Sequence, residues 1–325
     1  MADYSLFCLG NPRLELGGRP VRLEMRKALA LLVYLRLAGH DCSREFLAAL
    51  FWPEYDQQHA QANLRRTLAS LNKSLGSDFL EADREKITLR QPSRIWLDVE
   101  EFLEKKNPGK SHSHLQGEIC PDCLSELETA IQLYRGDFLE GFNLNDCPEF
   151  DEWQLLQRES MRQELALALQ EISELYASQS RWEPAIAYTL RWVGLDRLNE
   201  PAHRALIDLY ARSGQRSAAL RQYEALVRIL HEQLAQEPEQ ETRQLFEQIR
   251  GMQDASRHNA KPNVEATGQS PSFPLLKTKL YIPSTPAARV VRTHLVDCLR
   301  EVETKLLTIV SAPAGFGKTT LLAEW

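Results

Sequence analysis

Along the first two dozen positions apolar and polar residues alternate in short runs, and then the period changes. Tyr4-Ser-Leu-Phe-Cys-Leu-Gly, Leu14-Glu-Leu and Pro20-Val-Arg-Leu-Glu-Met are parted by turn residues at Asn11-Pro12 and Gly17-Gly18, which predicts a small antiparallel sheet. Arg26 to Ala38 (RKALALLVYLRLA) is long and rich in Ala and Leu, and Gly39 follows where a helix stop belongs, so it predicts a buried helix. Ser43 can cap a second helix carrying Phe46, Leu47, Leu50 and Phe51, which Pro53 cuts short. Residues 57–75 predict a third, with Leu64, Leu68, Leu71 and Leu75 spaced by 4, 3 and 4 and Gly76 after them. FLEA, the charged turn Asp83-Arg84-Glu85, KITLR, a Gln-Pro-Ser turn and RIWL then read as strands joined by tight loops. The order is sheet, three helices, hairpin.

From Asp98 to about Gly251 the patterns are helical, and they repeat. Leu175-Tyr176-Ala177 recurs as Leu209-Tyr210-Ala211 at an offset of 34, and Ala185-Ile186 aligns with Ala219-Leu220 at the same offset. That period is the signature of tetratricopeptide repeats, in which small residues let paired helices approach and proline, here Pro201 or Pro238, marks turns. Ser180 departs from the pattern, standing where the second copy has Gly214. Glu149 to Leu175 should supply an earlier helix or two, because such repeats need about three units to bury a continuous core. Trp153, Tyr176, Trp182, Tyr210 and Tyr223 read as repeat packing. Residues 252–273, poor in large apolar side chains, read as a linker. Residues 274–325 end in an apolar strand, LLTIV, running into a glycine-containing loop.

Charge sharpens the picture. The chain has 325 residues and a formal net charge of -6, but residues 1–97 hold 14 Lys+Arg and 11 Asp+Glu, a balance of +3, leaving 25 against 34 for the rest. Residues 57–77 carry Arg65, Arg66 and Lys73 and no acidic residue, which points to a polyanion partner. At about 100° per residue, the face opposite the leucines centres on His59, Ala62, Arg66, Ser70 and Lys73, flanked by Gln58, Asn63 and Arg65. Sheet, helices, polar helix face and hairpin together suit a winged helix-turn-helix, whose third helix enters the major groove while wing cations, here Arg84 and Lys86, meet phosphates.

Through LFCLGNPRLELGGRPVRL, RKALALLVYL, SREFLAALFWPE and ANLRRTLASLNKSLG, residues 4–97 resemble the winged-helix domain of bacterial response regulators of the OmpR/PhoB type. The version is that found at the front of the streptomycete antibiotic regulatory proteins (SARPs), and the resemblance implies that residues 57–75 are the recognition helix. Residues 98–251, through LYRGDFLEGF, EFDEWQLLQRE, RWEPAIAYTLRWVGLD and SGQRSAALRQYEALVRILHEQLAQEPEQETRQLFEQI, resemble the bacterial transcriptional activator domain that follows it. That implies dimerisation or contact with RNA polymerase. The fold expected is therefore mainly α: an α+β winged helix at 1–97, an all-α tetratricopeptide-like domain at 98–251, and a C-terminal P-loop fragment.

Two further motifs carry chemistry. Ala312 to Thr319 fits a phosphate-binding loop between strand and helix, with Gly315, Gly317, Lys318, Thr319 and Thr320 as nucleotide-binding candidates. It resembles the start of a MalT-like ATPase. The chain ends at Trp325, so ATP is expected to matter only to a longer version. His112, His114, Cys120 and Cys123 lie within twelve residues and could hold a structural zinc, a reading balanced against a polar linker with these residues there by chance.

No catalytic triad or paired-carboxylate site emerges, so the expectation is a non-enzyme that needs no cofactor to bind double-stranded promoter DNA. The absence of an 18-residue apolar run and of a secretory signal predicts a cytoplasmic location without membrane contact. Two other classes stay open: a helical-repeat adaptor for protein partners, and the front of an ATP-dependent signalling regulator.

Overall fold

The computed structural model describes residues 3–39, 41–76, 79–90, 94–106 and 121–258. Strands β1 (Tyr4–Phe7), β2 (Arg13–Leu16) and β3 (Arg19–Val21) form the expected antiparallel meander. Gly17 and Gly18 turn β2 into β3 at φ 54° and 78°, which a β-carbon would resist. Helix α1 (Arg26–Ala38) ends at Gly39 in the left-handed region, φ 65°. After β4 (Cys42–Ser43), helix α2 (Arg44–Phe51) is capped by Ser43 Oγ, which accepts the Phe46 N–H at 3.4 Å. Helix α3 spans Gln57–Leu75, and β5 (Leu80–Ala82) pairs with β6 (Lys86–Leu89) as the hairpin, with β4 on its other side.

Two local expectations fail for long-range reasons. Strand β7 (Ile95–Leu97), expected to continue the hairpin, crosses to the first sheet and pairs parallel with β1, Tyr4 opposite Ile95 and Leu6 opposite Leu97. Alternation buries Ile95 and Leu97 in either sheet, so it cannot choose the partner. Phe46 turns outward, because Leu47, Leu50 and Phe51 already fill the inward stripe of an eight-residue helix.

The rest is helical: α4 (Asp98–Lys105), α5 (Pro121–Leu133), α6 (Pro148–Ser178), α7 (Trp182–Leu195), α8 (Glu200–Arg212), α9 (Arg216–Leu234) and α10 (Gln240–His258). The earlier repeat helix is a single α6 of 31 residues, and α10 runs into the segment read as linker. The 34-residue repeat holds atom by atom at the helix turns. Ser180 N–H donates to Ala177 and Arg181 N–H to Tyr176, at 3.0 and 2.9 Å; Gly214 donates to Ala211 and Gln215 to Tyr210, at 3.1 and 2.8 Å. Ser180 and Gly214 both take positive φ, 58° and 78°, and Ala185 and Ala219 are fully buried.

No linker parts the two halves. β7 passes directly into α4, and the buried Asp98 carboxylate accepts the Cys8 N–H at 2.8 and 2.9 Å and the Leu9 N–H at 2.9 Å. Burial pushes that carboxyl above the usual range, and these backbone donors pull partly against it. Phe51 meets Phe150 at 5.2 Å between ring centroids, and Tyr34 meets Trp153 at 4.9 Å. Trp153 thus packs against the winged helix as well as against Phe138 and Phe150 of its own half. One hydrophobic core runs from Tyr4 to Leu209, inside a compact unit of Met1–Ala260. Among the described residues no helix is long and apolar enough to cross a membrane.

Candidate nucleic-acid interface

Helix α3 begins at Asp56, whose Oδ1 accepts the His59 N–H at 3.0 Å while Oδ2 meets His59 Nδ1 at 2.7 Å. These bonds, the backbone one first, hold the Asp56 carboxyl below its usual range. His59 is thereby committed to the cap, although it remains exposed. Leu64, Leu68, Leu71 and Leu75 bury the inner face as expected, together with Ala60 and Thr67.

On the outer face Gln58, Arg65, Arg66 and Lys73 are exposed and Asn63 is half-buried. Arg65 Nε donates to the Gln61 carbonyl at 3.3 Å, and Lys73 Nζ reaches Glu24 at 3.2 Å. Arg66 makes no hydrogen bond or ion pair among the described residues. Ser70, expected on this face, is only 9% exposed. The connection from β3 to α1 reaches this helix, with Glu24 on Lys73 and with Met25 and Thr67 lining a common cleft. The solvent face is therefore turned by about half a 100° residue step toward Arg65 and Ala69.

The wing is the β5–β6 hairpin, closed by Asp83-Arg84-Glu85. Asp83 Oδ1 accepts the N–H groups of Lys86 and Glu85 at 2.6 and 2.7 Å, which lowers its pKa and fixes the loop. Arg84 stands exposed at the tip with no partner among the described residues. Lys86 Nζ lies 3.4 Å from the Asp41 carboxylate. Sequence reading missed Arg44, whose Nη1 donates to the Asp83 carbonyl at 2.7 Å and so steadies the wing from α2. It also missed Arg26 and Lys27, which looked like the charged start of a buried helix.

Cys123 is buried in the first turn of α5, while His112, His114 and Cys120 lie outside the described residues. Among the described residues no three His, Cys, Asp or Glu side chains converge as a metal site. Gly315, Gly317, Lys318, Thr319 and Thr320 also lie outside them.

Residues 97–250 match the family of the bacterial transcriptional activator domain. A solved structure of Mycobacterium tuberculosis EmbR in complex with a low-affinity phosphopeptide shares the fold, with a TM-score of 0.62 and 21% identity over 80% of this chain and 69% of that one. The serine/threonine-protein kinases PknK of Mycobacterium tuberculosis and Mycobacterium bovis are 45% identical over 56 residues, 17% of this chain. The chain spans 5% of the length of those kinases, too little to carry their activity over. Residues 97–250 thus carry a bacterial transcriptional activator domain, in a chain whose fold of winged helix followed by helical repeats is shared with EmbR.

Proposed function

We propose that the protein is a sequence-specific DNA-binding activator that lays α3 in the major groove of promoter DNA and sets the wing on a flanking phosphate. The observation that carries this is the outer face of α3: Arg65, Arg66 and Lys73 are exposed on a helix that holds no carboxylate. Gln58 and Asn63 add amide donors and acceptors suited to base edges, Arg66 is unengaged, and Arg84 waits at the wing tip. The repeat half, held on the same core, serves contact with RNA polymerase or a second copy. The exposed Leu155 and Leu156 of α6, at 58% and 64%, support a protein-facing role there.

Fluorescence anisotropy of the full chain against selection-enriched and random duplex DNA, at several salt concentrations, tests the reading. Tighter binding to the enriched pool that weakens steeply with salt is the expected result. Equal, weak binding to both would overturn it in favour of a protein-interaction adaptor.

A further inference from the structure

The winged helix and the repeat half enclose a cleft of about 520 Å³, a volume typical of small-molecule sites. Arg66 and Asn63 of α3 form one side, the Leu144–Asp146 stretch ahead of α6 forms another, and Arg26, Lys27 and Trp52 complete the wall. Three cations thus face one carboxylate. Lys27 is spent: its Nζ donates to the Phe51 carbonyl at 2.6 Å and to Asp146 at 2.7 Å. Arg26 has no carboxylate; it lies over the Phe142 ring and donates to the Asn143 carbonyl at 3.2 Å. Arg66 has no partner at all among the described residues. Two guanidinium groups without counter-charges therefore share a cleft whose apolar wall includes Trp52 and Leu144.

We propose that this cleft is an effector site for a small amphipathic anion, its apolar body against Trp52 and Leu144 and its single charged head on Arg66 and Arg26. With Asp146 and Lys27 paired to each other, the charge left uncompensated in the cleft is that of Arg26 and Arg66, which suits a small anionic head. Because Arg66 belongs to both the cleft and the outer face of α3, an occupied cleft withdraws that side chain from DNA. The regulatory half of the proposal rests on the DNA-binding reading; the binding half stands without it.

The probe is 1-anilinonaphthalene-8-sulfonate, an aromatic body with one sulfonate, titrated into the full chain by fluorescence and calorimetry. One saturable site is expected, weakened about tenfold or more by Arg66→Ala and by Asn145→Asp, as for loss or repulsion of one charge-assisted contact. Arg250→Gln, on the distant helix α10, should leave it unchanged. N-phenyl-1-naphthylamine, the same body without the charge, should bind far more weakly. Equal binding of both probes, or binding indifferent to Arg66→Ala and Asn145→Asp, overturns the anion site. With enriched DNA added, the sulfonate probe should weaken DNA binding by the unmodified chain and not by Asn145→Asp. Probe bound in the cleft with DNA affinity unchanged overturns the regulatory half, and failure to bind DNA without any probe marks failure of the DNA reading instead.

Discussion

Helix α3 and the repeat half treat their cations differently. In the repeat half several arginines rest on nearby carboxylates: Arg162 on Asp137 at 2.8 Å, Arg204 on Glu239 at 3.0 Å, Arg243 on Glu237 at 3.1 Å and Arg212 on Asp208 at 3.4 Å. On α3 no carboxylate is available within the helix, Arg66 is unpaired among the described residues, and Lys73 borrows Glu24 from another segment. Exposed ion pairs stabilise little, about 0–1 kcal/mol each, so pairing in the back chiefly neutralises a surface. Leaving α3 unneutralised keeps a field available to an incoming polyanion. The two halves nevertheless share one core, so they differ in surface and not in independence.

That shared core gives the largest expected effect. Phe150→Ala should cost about 3–5 kcal/mol in denaturant unfolding, and near-UV signals from both halves should melt together. Separate transitions would show that the halves fold independently. Asp98→Asn should cost about 1–3 kcal/mol, since an amide nitrogen cannot accept the Cys8 and Leu9 N–H groups. The folded pKa of Asp98 is raised, so the native state holds its proton more tightly than the unfolded chain does. Its contribution to stability is present below the unfolded carboxyl range and is lost as pH rises through the folded value. The stability gap between the unmodified chain and Asp98→Asn should therefore widen as pH falls from 7 toward about 4.

On the outer face of α3, if the proposed DNA contact holds, Arg66→Ala should weaken specific DNA binding by about 1–3 kcal/mol, whereas Arg84→Ala in the wing should act on all sequences alike and lower the salt slope by about 1. Reversed behaviour would exchange the roles of helix and wing. The smallest effect separates two turns of the same shape. Ser180→Gly should raise stability by up to about 1 kcal/mol, and Gly214→Ser should lower it by about as much, because a β-carbon is strained at φ 58° and 78°. Unchanged midpoints in thermal melts of both variants would show that the turns absorb the strain.

What could be read from the chain was local. The bounds of α3 follow from leucine spacing and Gly76, the end of α1 from Gly39, and the 34-residue period from the paired Leu-Tyr-Ala runs. What could not be read was set by distant partners. Nothing in Ile95-Trp96-Leu97 says that it pairs with Tyr4 to Leu6, and nothing around Lys73 says that it meets Glu24 from the β3–α1 connection. Trp153 reads as a residue packing within its own half, as it does with Phe138 and Phe150, yet it also meets Tyr34 of α1.

The direct passage of β7 into α4 also bears on how such a chain can be reshuffled. Strand β7 supplies an edge of the first sheet and opens the next helix within the same few residues, and Asp98 ties both to the end of β1. A winged helix exchanged between relatives at this point would arrive without the surfaces that fit Phe150 and Trp153. Successful chimaeras should therefore be joined elsewhere, or should carry the front and its matching aromatic bed together as one inherited block.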